Sequence, residues 1–180
     1  MGAITAGSLV LAGADTLAQS PELWARELLT DADGLGRYGL IFLLAAVPLL
    51  EILVVIPLGV SLGSQPVAVA VAAFLGNVLP IYGIIAAHER VETFLEERRD
   101  GSEPSKRRQR AKQLWNKYGL PGLAAASPIS TGVHLAAVFA LGLGSSRRAT
   151  ALWMTASIAS WTVVITLGSV VALSTIQSLI

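Results

Sequence analysis

Between Tyr38 and Ala87 the chain has one charged residue, Glu51, and between Tyr118 and Ser146 the one side chain able to carry a charge is His134. A carboxylate alone at membrane depth costs about 2.5–3.5 kcal/mol on insertion scales and marks a functional site by default. A carboxyl group can take up and release a proton, which suits Glu51 to carrying one. The same carboxyl could cap N–H groups freed where a helix breaks, and the two roles are compatible. Imidazole changes charge near physiological pH, so His134 is the natural counterpart of Glu51, with a bond to a backbone carbonyl as its plainer use. Near His134 stand Ser127, Ser130 and Thr131. Such hydroxyls satisfy backbone groups in interrupted membrane helices and can also line a substrate path. The amide of Asn77 either reaches the site or bonds between helices. Glu51, His134, Ser130, Thr131 and Asn77 are therefore the expected proton- and substrate-binding residues.

Prolines and glycines dictate the elements that hold these residues. Residues 38–63 are long enough to span a membrane, but Pro48 and Pro57 interrupt them on either side of Glu51. A proline inside a helix removes a hydrogen bond and clashes with the preceding turn, so two half-helices in a re-entrant hairpin fit better than one rod. Residues 118–144 contain Pro121, Gly122, Pro128, Gly132, Gly142 and Gly144 and read as a second such hairpin. Pro48, Pro57, Pro128 and Gly132 are the expected breaks. Irregular backbone at membrane depth is tolerated only inside protein or beside a wet cavity, so the breaks should face inward. Residues 66–87 and 149–176 are the expected crossing helices.

Composition supports that setting. Hydrophobic residues make up 53% of the 180 and charged residues 14%, with a mean hydropathy of +0.64, against roughly 25% charged in soluble domains. The expected class is an all-α integral membrane protein. The chain has no cysteine, which excludes disulfides and thiolate chemistry. Residues 1–37 read as an N-terminal apolar helix followed by an acidic connector. No Lys or Arg precedes the apolar run from Gly2 to Ala18, which argues against a cleaved signal peptide. That run is either a marginal span or an interfacial helix. Ser20-Pro21-Glu22 is a helix start. Residues 88–117 hold nine of the thirteen basic residues and are expected to be cytoplasmic by the positive-inside rule, with 101–105 separating two helical pieces.

One pattern occurs twice. From Arg37 to Pro48 and from Lys117 to Pro128, seven of twelve aligned positions are identical, and Leu62-Gly63-Ser64 returns as Leu143-Gly144-Ser145. Broken hydrophobic segments at corresponding places in two halves point to a binding site at a repeat interface. With each repeat a re-entrant hairpin plus one crossing helix, the halves 38–87 and 118–180 are inverted. Arg147-Arg148 then shares the cytoplasmic side with the loop 88–117.

PLLEILVVIPLG at 48–59, GNVLPI at 76–81 and KYGLPGLAAASPISTG at 117–132 resemble the small multidrug export protein family. That family is similar in turn to the DedA, or VTT-domain, superfamily, which the segment 142–161 also resembles. The resemblance implies two inverted repeats of hairpin and helix, and translocation of a lipid-like or small amphipathic substrate with proton coupling. Two positions depart from these patterns. Ile52 and Leu53 follow Glu51 where the export pattern has an arginine. The second hairpin carries Ser127, Ser130, Thr131 and His134 in place of the DedA arginines, so a phosphate would lack its bidentate cationic partner.

The leading expectation is a multi-pass transporter of the cytoplasmic membrane, not an enzyme, exporting or flipping a small amphipathic or lipid-like molecule. Membrane lipid and that substrate are its expected partners; abundant glycine permits a homo-oligomer. Nucleic acid is not expected, because a juxtamembrane basic stretch sets topology or touches anionic lipid. No cofactor or metal is expected: His88-Glu89 lacks the second histidine of a zinc-protease helix. The competing readings are a membrane-organising scaffold with Glu51 purely structural, and an intramembrane hydrolase using Ser130 or Thr131 with His134.

Overall fold

The computed structural model describes residues 21–48, 50–87 and 106–179. The N-terminal apolar helix expected over 1–19 and the loop segment 88–105 lie outside these. Among the described residues there are seven helices and no strand. They are α1 (Pro21–Asp31), α2 (Gly34–Ala46), α3 (Glu51–Ser61), α4 (Pro66–Ala86), α5 (Lys106–Ser130), α6 (Val133–Gly142) and α7 (Arg147–Leu179). The described part of the protein is all-helical.

Helices α4 and α7 are long and apolar enough to cross a membrane. At 1.5 Å per residue they measure about 32 and 50 Å. Each buries one stripe: Val69, Ala73, Asn77, Ile81 and Ile85 on α4, and Thr150, Met154, Ile158 and Thr162 on α7. Their other faces are also apolar, with Val67, Val71, Leu75 and Leu79 exposed on α4 and Leu152, Val163, Val164, Leu167 and Val171 on α7. A helix that is hydrophobic all round is either deep in a large core or in a membrane. Only 17% of the apolar window of α7 is buried, which rejects the core reading and leaves a lipid-facing helix.

Helices α2 and α3 form one helix-break-helix pair, and the end of α5 with α6 forms another; both pairs pack against the long helices. Glycine sets the closeness of that packing. A Cβ at Gly76 would collide with the carbonyl of Phe42, where α4 crosses α2, and one at Gly59 would lie 2.9 Å from the Val69 side chain.

Both pairs end alike. Gly63 N–H donates to Val60 O (3.0 Å) and Ser64 N–H to Gly59 O (3.1 Å); Gly144 N–H donates to Leu141 O (2.9 Å) and Ser145 N–H to Ala140 O (2.9 Å). With Gly63 at φ +77° and Gly144 at φ +89°, these are two copies of one Schellman closure, built on the repeated Leu-Gly-Ser. The starts of the pairs differ. The Arg37 guanidinium donates to Ala32 O (2.8 Å) and Leu62 O (3.1 Å), tying the start of α2 to the end of α3. At the corresponding Lys117 the ammonium lies over the Tyr118 ring, 5.0 Å from its centre.

Some boundaries differ from the sequence reading. Helix α2 begins at Gly34, ahead of Tyr38, because Arg37 anchors the added turn. Helix α5 runs from the basic segment into the second pair and kinks at Gly119 (φ 65°, ψ −157°), where a glycine adopts a conformation that other residues avoid. Of the three prolines expected at breaks, Pro48 falls in one, between α2 and α3, and the other two do not. Pro57 lies inside α3 and Pro128 inside α5; the breaks fall at 47–50 and 131–132. A proline inside a helix orphans a carbonyl but need not stop the helix if another donor reaches that oxygen.

Candidate functional site

At the first break, Leu50 N–H and Glu51 N–H both turn back to Val47 O (3.2 and 3.4 Å). Glu51 then opens α3 at φ +29°, the sole positive φ among the described non-glycine residues. Such backbone costs of order 1–3 kcal/mol and persists where its surroundings over-determine it. Here the surroundings are the second break. Its chain turns at Gly132 (φ +81°), whose N–H donates to Ser127 O (2.7 Å).

Glu51 bridges the two breaks. Its carboxylate accepts the N–H of Val133, the first residue of α6, at 3.1 Å to Oε1 and 3.4 Å to Oε2. Nδ1 of His134 lies 3.3 Å from the same Oε1. Both side chains are about 5% exposed, so water screens this pair little. A helix N-terminus carries unsatisfied N–H groups and the positive end of the dipole. The carboxylate lies against that end of α6 while opening α3 itself. Gly132 makes room for it: a Cβ there would lie 2.9 Å from Glu51 Oε1.

The bridge borders a cavity of about 630 Å³. Glu51, Ser130, Thr131 and His134 make its polar end, and Leu53, Val54, Ile84, Ile129, Leu135 and Val138 its apolar wall. Ser130 Oγ donates to Ala126 O (2.7 Å), and Thr131 Oγ1 to Gly132 O (3.4 Å). Nε2 of His134 is buried without a partner among the described residues. The bond between nucleophile and base that a hydrolase needs is therefore not assembled. Four of the five expected site residues thus meet at one cavity. Asn77 does not join them: it is fully buried on α4, its amide has no partner among the described residues, and it does not line the cavity. Of the expected breaks, Pro48, Pro128 and Gly132 line the cavity and Pro57 does not.

A clamp on the second pair was not foreseen in the sequence. Pro128 has no N–H to offer Ala124 O; that carbonyl accepts instead from Ser127 Oγ (2.8 Å) and from Ser157 Oγ on α7 (2.7 Å). Trp161, one turn beyond Ser157, donates Nε1–H to Ala125 O (2.8 Å). The signal available was a serine and an indole four residues apart on a helix expected to pack beside an internal proline.

Residues 51–164 match the model of a protein family described as "Putative small multi-drug export protein". The match starts at the bridging glutamate, just after the first break, and takes in the second break, all of α4 and the first half of α7. Neither a curated protein nor a solved structure matches the chain.

Proposed function

Since the chain belongs to the small multi-drug export family, a family of membrane export proteins, we propose that it is a proton-coupled transporter of the cytoplasmic membrane. In this reading the two helix-break-helix pairs are re-entrant hairpins of inverted repeats, as in DedA proteins, the basic segment 88–117 is cytoplasmic, and the cavity at the breaks takes a small amphipathic or lipid-like substrate. The duplicated Schellman closure supports a duplicated hairpin. The family match makes a transporter the favoured class over an enzyme.

The observation that carries the proposal is the Glu51 carboxylate on the N-terminus of α6. As an anion it accepts from both Val133 N–H and His134 Nδ1–H. Protonation removes the charge that the helix end stabilises and weakens both bonds, since hydrogen bonds to charged groups are about twice as strong as neutral ones. A proton on Glu51 therefore loosens the two hairpins at the cavity, and its release draws them together. Binding and release of a proton in this way couples a gradient to opening of the site.

Reconstituted protein in vesicles loaded with a fluorescent amphiphilic dye tests this. Dye flux should follow the imposed pH gradient and fall to the protein-free rate in Glu51→Gln. Wild-type flux in that variant would end the proton-coupling proposal. The full engagement of Glu51 also supports the scaffold reading, in which the bridge only holds the hairpins. Loss of flux in Glu51→Gln under conditions where chemical denaturation shows the variant still folded would count against that alternative.

A further inference from the structure

We infer that the polar end of the cavity receives the ammonium group of a primary or secondary alkylamine, the hydrocarbon body lying along the apolar wall. This rests on the transporter reading and narrows its substrate. At the polar end the donors are spent and acceptors are left over. The Ser130 and Thr131 hydroxyls spend their protons on Ala126 O and Gly132 O, which leaves oxygen lone pairs. Val133 N–H is already turned to Glu51. His134, with Nδ1–H donated to the carboxylate, keeps a lone pair on Nε2.

An anion has no place here. A helix N-terminus is a ready anion site, but that of α6 is covered by the chain's own carboxylate, and among the described residues no Lys or Arg lines the cavity. A phosphate would meet one carboxylate and two hydroxyl oxygens, each presenting lone pairs. A primary ammonium brings three N–H donors and a positive charge to the same atoms. A quaternary ammonium brings the charge but no donor. The volume, about 630 Å³, lies in the usual range for small-molecule sites, roughly 300–1,000 Å³. At the rim Ile129 is 65% and Leu135 37% exposed, so the opening is bordered by apolar side chains. In a membrane that border admits a ligand from the hydrocarbon, which favours an amine with an alkyl body.

The test is equilibrium binding of radiolabelled octylamine to the full chain in lipid nanodiscs at equal pH on both sides, with empty nanodiscs as the blank. Unlabelled octylamine, octyltrimethylammonium and octyl phosphate serve as competitors. Octylamine should displace the label at a concentration about tenfold or more below octyltrimethylammonium, the ratio expected for one lost hydrogen bond to a charged group. Octyl phosphate should not compete. Ser130→Ala, which leaves the Glu51 bridge intact, should weaken octylamine binding severalfold, and Glu51→Gln more. Equal displacement by the trimethyl compound, competition by octyl phosphate, or no binding above the blank would overturn the inference. Because no gradient is imposed, gradient-driven dye flux without amine binding would sink the amine and leave the transporter standing. Amine binding without flux would do the reverse.

Discussion

The two hairpin-like pairs close the same way and break differently. At their far ends Gly63-Ser64 and Gly144-Ser145 make one pattern of bonds, 3.0 and 3.1 Å in one and 2.9 and 2.9 Å in the other. At the breaks, the first pair places a strained glutamate and the second a glycine followed by an open helix end. The difference lets one break plug the other: a carboxylate is offered where N–H groups need an acceptor, and the missing side chain of Gly132 leaves space for it. A symmetric pair of breaks, both acidic or both glycine, could not do this. Duplicated backbone supplies the frame, and unequal side chains supply the chemistry.

The bridge between the breaks is most vulnerable at Gly132. Gly132→Ala adds a Cβ 2.9 Å from Glu51 Oε1 at a backbone of φ +81°. Displacing the bridge as well as straining the turn should abolish dye flux and lower stability by more than about 2 kcal/mol, read from chemical denaturation in micelles. Next in size, Glu51→Gln keeps the shape but not the charge. It should lose gradient-driven flux and about 1.5–3 kcal/mol, the worth of a hydrogen bond to a charged group.

Smaller effects sharpen the likeness between the pairs. An added Cβ at Gly63 or Gly144 meets nothing within 4 Å among the described residues, so there only the positive φ opposes alanine. Gly63→Ala and Gly144→Ala should each cost about 1 kcal/mol, equal within error, and leave flux intact. Unequal costs would mean the closures are not equivalent. Ser157→Ala should have the least effect, about 0.5 kcal/mol, the low end for a hydrogen bond, since Ser127 Oγ still serves Ala124 O; the loss should appear as a lower melting temperature with unchanged flux.

Much of this was legible in the sequence, for physical reasons. Glu51 stands out as the one charge in a stretch of fifty residues because hydrocarbon penalises charge, and long apolar runs announce α4 and α7 because length and hydropathy suffice to identify them. The breaks were less legible. Pro57 and Pro128 stay inside helices, because whether a proline breaks a helix depends on donors from elsewhere in the fold. Ser157 serving Ala124 O is such a donor, 33 residues away. The pairing of Glu51 with the Val133 N–H spans 82 residues, and no local pattern encodes it. Asn77 looked like a site residue because a buried amide usually has work to do, but spacing alone cannot say which face of α4 meets the cavity.

In the proposed function ionised Glu51 holds the N-terminus of α6, and the amide proton of Val133 reports on it directly. Its NMR resonance, followed across pH in selectively labelled protein, should lie downfield while Glu51 is ionised and step upfield as the carboxyl protonates, together with the His134 ring signals. In Glu51→Gln the step should vanish. A Val133 amide resonance indifferent to both pH and the substitution would contradict the account.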